Sequence, residues 1–189
     1  MKGMTTAMVA AMGLAAVTLV AASAANRSSP YTGLERRSVK ALSSEETRGL
    51  LAGEGMALSL AAELNGYPGP RHVLELAHDL ALTASQEAHA AALQAEMKRE
   101  AVALGAAIVA LEEQLDALFR EGKAKPDQVA ALSAEIGAKR GLLRAVHLRA
   151  HLAMAEVLSD TQRTRYAALR GYHNADGSAP ADHRPHHKH

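Results

Sequence analysis

Two histidines four residues apart, His147 and His151, are the side chains of this 189-residue chain best spaced to do chemistry. On a helix that spacing puts both imidazoles on one face, where two ring nitrogens can share one metal ion. Met154 follows one turn later and offers a soft thioether. A second group, His183, His186, His187 and His189, closes the chain and is interrupted by Arg184, Pro185 and Lys188. Such a cluster on a mobile tail takes Zn²⁺, Ni²⁺ or Cu²⁺ loosely. The plainer alternatives are a solvated stripe through Arg140, Arg144, His147 and His151, and a tail that only adds solubility.

Other chemistries lack their parts. The chain has no cysteine, no G-x-S-x-G and no glycine-rich phosphate loop after a strand. His147-Leu148-Arg149-Ala150-His151 is not a zincin motif, which needs Glu as general base directly after the first His, where Leu148 stands. The expectation is a protein that binds and does not catalyse. With residues 1–25 removed, 20 basic residues face 20 acidic ones. No positive field then remains to attract a phosphate backbone, so nucleic acid is not an expected partner.

The elements that must position these groups read as helices throughout. Aromatics are scarce, with Phe119, four Tyr and no Trp, so the core falls to Ala, Leu, Val and Met. Residues 1–25 combine Lys2, an uncharged Ala-rich run and Ala22-Ser23-Ala24, the pattern of a cleaved export signal. The alternative is an uncleaved anchor over residues 7–25, facing the periplasm from the inner membrane. Residues 26–41 are expected to be a linker, 42–172 a helical domain, and 173–189 a disordered His-rich tail. Ser43-Ser44-Glu45-Glu46 opens a helix to about Ala52, and Met56 to Leu64 continues as helix up to Asn65-Gly66. After Tyr67-Pro68-Gly69-Pro70, a further helix is expected from Arg71 to about Leu80.

The longest helix runs from a Thr83 cap to about Arg120, with Leu104, Ile108, Leu111, Leu115 and Leu118 in a 4-3-4-3 seam. Pro126 starts the next, reaching to about Leu158, and Ser159 caps a last short helix to Arg170. Two long helices joined by about five residues must lie antiparallel. The expected fold is therefore all-α, an extended helical hairpin with hooked ends. Because one hairpin cannot cover both of its apolar faces, a homodimer is expected.

Leu82-Thr83-x-x-Gln86 and Leu158-Ser159-x-x-Gln162 are two capping boxes of one form, L-[ST]-x-x-Q, at the two ends of this region. Behind an export signal, the pair resembles the LTxxQ motifs of the Spy/CpxP family of periplasmic stress proteins. That family includes the zinc resistance-associated and heavy-metal resistance proteins. Asn65 to Leu76 and His151-Leu152-Ala153-Met154 are similar to stretches of the heavy-metal resistance branch; Ser159 departs from the preferred Thr. The resemblance implies a hooked helical dimer in the periplasm that binds or senses Zn, Cu, Ni or Co ions. It also implies that ligands beside His147, His151 and Met154 come from near the N-terminal end, where His72, Glu75 and His78 match. Two other functions follow from it. One is ATP-independent holding of unfolded client proteins, and the other is a membrane-anchored sensor that restrains a signalling partner.

Overall fold

The computed structural model describes residues 29–172; the expected export signal and the expected His-rich tail, including His183, His186, His187 and His189, lie outside the described residues. The chain divides into a unit ending at Thr32 and a second beginning at Gly33. Of the first, only a turn closed by the Thr32 amide on the Ser29 carbonyl is described.

The second unit is all-α among its described residues. A 3₁₀ turn, Leu34–Arg36, precedes α1 (Ser44–Ala52), α2 (Leu60–Glu63), α3 (Pro70–Glu75), α4 (Ala84–Arg120), α5 (Pro126–Val157) and α6 (Asp160–Leu169). The 37 residues of α4 and 32 of α5 form the hairpin. Its direction follows from the cross-links: Glu112 pairs with Arg140, Glu100 with Arg149, and Gln86 reaches the Val157 carbonyl. Positions fall along α4 as they rise along α5, so the helices are antiparallel. None of the described helices is long and apolar enough to cross a membrane.

Two apolar clusters hold the unit together. Ile108, Val109 and Ala101 of α4 meet Leu143 and Val146 of α5, with Leu50, Leu42 and Val39 over them. Toward the chain's ends, Val73, Leu80, Ala90, Met154, Leu158 and Tyr166 form the second. α1 and α3 both pack on α4, so the chain itself covers part of the hairpin's flank.

The short elements differ from the expected ones. The linker expected over 26–41 ends earlier: Val39 is 2% exposed and packs under α1, because apolar residues at 39 and 42 share one side of the turn. Met56–Leu64 is not continuous helix. Gly53 ends α1 in a left-handed cap, Met56 and Ala57 also have positive φ (40° and 63°), and only Leu60–Glu63 is helical. α3 stops at Glu75, not near Leu80. The turns that follow, with Ala81 at φ 48°, bring Leu80 into the core and the chain round to the Thr83 cap.

Candidate metal centre

α5 buries both histidines. His147 is 2% and His151 6% exposed, and both line a cavity of about 290 Å³ walled by α5, α4 and the segments flanking α2. The solvated-stripe alternative does not describe them, although Arg140 and Arg144 on the same helix are exposed.

The two rings are held differently. His151 Nδ1 donates to the Tyr67 carbonyl at 2.7 Å. That bond selects the tautomer that leaves a lone pair on Nε2. Gly69 passes so close that a Cβ there would stand 2.9 Å from His151 Nε2 and Cε1. The absence of a side chain at Gly69 is therefore what keeps that edge of the ring clear. His147 Nε2 is buried without a hydrogen-bond partner among the described residues. Burial first, and the neighbouring His151 second, hold the His147 imidazole below its ordinary pKa, so it stays neutral at pH 7. His147 is thus in the neutral form that binds metal.

Glu63, at the end of α2, enters the same cavity and is 7% exposed. Its Oε1 accepts from the Tyr166 hydroxyl at 2.6 Å and the Tyr172 hydroxyl at 3.0 Å. Its Oε2 has no hydrogen-bond partner among the described residues and lies 3.7 Å from His151 Nδ1. An unpaired buried carboxylate oxygen is costly. Burial, the hydrogen bond to Glu63 and its charge together raise the Tyr166 pKa far above the ordinary phenol value, so that hydroxyl remains a donor.

The other expected ligands divide. His72 lines the cavity, but its Nδ1 is hydrogen-bonded to Glu75 Oε2 at 2.9 Å. Glu75 is half exposed, also accepts from Arg71, and lies outside the cavity wall; these two partners, His72 first, lower its pKa. His78 points fully into solvent beside Asp79. Met154 is wholly buried in the apolar cluster with Val73 and Tyr166, away from the cavity lining. His147, His151 and His72 therefore line one cavity, and Glu75, His78 and Met154 stand outside it.

The two L-[ST]-x-x-Q boxes position this centre. Thr83 and Ser159 each accept from the amide of the Gln three residues on, and each Gln Oε1 accepts from its own cap amide at 3.0 Å. The Gln side chains then meet. Gln86 Nε2 donates to Gln162 Oε1 at 2.9 Å, and Gln162 Nε2 to Gln86 Oε1 at 3.1 Å. Their second protons go to the Val157 and Leu80 carbonyls. The motifs thus clasp the start of α4 to the end of α5, less than two turns beyond His151.

Glu63, Met97 and Tyr166 of this region have no local signature as site residues, whereas Tyr67 and Gly69 lie in the Asn65–Leu76 stretch. The partners of Glu63 are 103 and 109 residues away in sequence. The one usable signal is the scarcity of tyrosine, since a buried Tyr hydroxyl requires a partner. No family model matches the chain, and neither a curated protein nor a solved structure matches it.

Proposed function

We propose that this protein binds a transition-metal ion at His147 and His151 and acts in the periplasm as a non-catalytic, metal-responsive stress protein of the LTxxQ type. The observation that carries the reading is the placement of both imidazoles, buried, in one cavity, with His151 oriented by the Tyr67 carbonyl and His147 Nε2 unpaired among the described residues. A ligating His that donates its other N–H to a carbonyl is the usual arrangement at metal sites. Among the described residues, no three His, Asp or Glu side chains stand together at coordinating spacing. The histidine pair is therefore the anchor, and water, or Glu63 Oε2 once it is drawn toward the ion, completes the shell around Zn²⁺, Cu²⁺, Ni²⁺ or Co²⁺.

Calorimetric titration with Zn²⁺ tests this, with the four tail histidines replaced by Ala in every arm. Stoichiometric binding that His147→Ala/His151→Ala abolishes is expected; equal binding by both proteins sinks the reading.

A second reading, an ATP-independent holdase, draws on the exposed Leu51, Leu60, Leu64, Leu142, Leu152 and Phe119. It requires the protein to slow aggregation of a denatured client at a few-fold molar excess. Unchanged light scattering under those conditions would remove it.

A further inference from the structure

Two thioethers line the cavity as well: Met97 from α4, and Met56 from the segment between α1 and α2. Both also take part in packing, but neither is fully buried by it. Met97 is only partly buried at the edge of the first apolar cluster, and Met56 is 38% exposed. Met56 also stands in left-handed backbone, at φ 40°, followed by Ala57 at 63°. That conformation is disfavoured for any residue with a Cβ, by about 1–2 kcal/mol. The Met56 sulfur rests over Gly49 of α1, where a Cβ would stand 2.5 Å from Met56 Sδ, so a metal at the histidines would require this flexible side chain to turn toward them.

Resting on the reading of His147 and His151 as ligands, we infer that Met56 and Met97 make this cavity a site for a soft monovalent cation, Cu(I), in preference to Zn²⁺. Thioether sulfur is a soft donor that suits Cu(I), whereas Zn²⁺ takes imidazole, carboxylate and thiolate. The chain has no cysteine, so methionine is its sole source of sulfur ligands. Two imidazoles with one or two thioethers suit the low coordination number and softness of a monovalent ion. Glu63 then keeps its bonds to Tyr166 and Tyr172, while a dication would draw Glu63 Oε2 toward it. The two ions thus call on different side chains: Cu(I) on the methionines, Zn²⁺ on the carboxylate.

The test is anaerobic competition of the full chain for Cu(I) against a chromophoric Cu(I) chelator, beside Zn²⁺ titration. The proteins compared are the parent, Met56→Leu/Met97→Leu, Glu63→Gln and His147→Ala/His151→Ala. Leu keeps the volume of Met, so loss of the methionines should weaken Cu(I) by about tenfold or more and Zn²⁺ by less than about threefold. Glu63→Gln should do the reverse. X-ray absorption at the copper edge should show Cu–S scattering that falls in the methionine variant. Unchanged Cu(I) affinity in that variant, or equal losses for both ions, assigns Met56 and Met97 to packing and overturns the inference while the histidine site stands. Binding of both ions that ignores His147 and His151 overturns the inference and the reading beneath it together.

Discussion

The unit docks its helix starts in two different ways. α1 and the paired starts of α4 and α6 all begin with capping boxes, at Ser43, Thr83 and Ser159. At Ser43 the box residue is Glu46, whose carboxylate accepts from the Ser43 amide and has its pKa lowered first by that bond. A carboxylate has no proton to give, so this box ends with its own helix. α1 is held on α4 by shape instead: Gly105 lies directly under the Leu50 carbonyl, and Gly53 lies against Val102. At Thr83 and Ser159 the box residue is Gln. Its carbonyl caps as Glu does, and its amide protons reach the other box. The choice of Gln over Glu therefore turns a local helix start into a long-range clasp.

The largest expected effect falls on the shape-docked side. Gly105→Ala puts a methyl into the Leu50 backbone carbonyl, which is not a flexible neighbour, so α1 must move. Urea unfolding should show a loss of about 3 kcal/mol, the upper part of the overpacking range. Next comes Gln86→Glu. It preserves the cap but removes the donors to Val157 and Gln162, and should cost about 1–3 kcal/mol for the acceptors left unpaired. If Gln86→Glu is as stable as the parent, the clasp is incidental to the caps. Thr83→Ala removes one cap and should cost about 1 kcal/mol.

A smaller effect, seen as a pH slope, separates the same two regions. The His147 pKa is lower in the folded chain than its unfolded value of about 6.5, so the folded state resists protonation. Metal-free stability should hold above that pH and decline as pH falls below it toward the folded value. His147→Gln should flatten this slope, and Glu46→Gln should leave it as it is. Glu46→Gln is the smallest change, within about 0.5 kcal/mol, because an amide oxygen caps as well at an exposed site.

The legible part of the molecule is what near neighbours determine. α4, α5 and α6 begin and end within about a residue of their sequence signals, because caps, Pro126 and the 4-3-4-3 seam are local. The segments from Gly53 to Glu63 and from Leu76 to Leu82 are not legible, because Met56, Ala57 and Ala81 take left-handed backbone that their residue types do not signal. The same holds in the cavity. His147 and His151 announce themselves by spacing, but Glu63 reads as one more helix surface residue. Tyr166, Arg170 and Tyr172, brought in by α6 and the turn after it, converge on its Oε1 and make it a buried, partnered carboxylate. His78 and Met154 have the right residue types in the right neighbourhood. α3 ends before His78 and leaves it in solvent, and the apolar second cluster takes up Met154.

The central claim is that His147 and His151 together hold a metal ion, and imidazole ¹⁵N NMR during Zn²⁺ titration tests it most directly. With the tail histidines replaced by Ala, the ring nitrogens of His147 and His151 should shift together and saturate at one equivalent, while exposed His78 and His89 stay in place. A titration that moves His78 or His89 and leaves His147 and His151 unmoved would contradict the account.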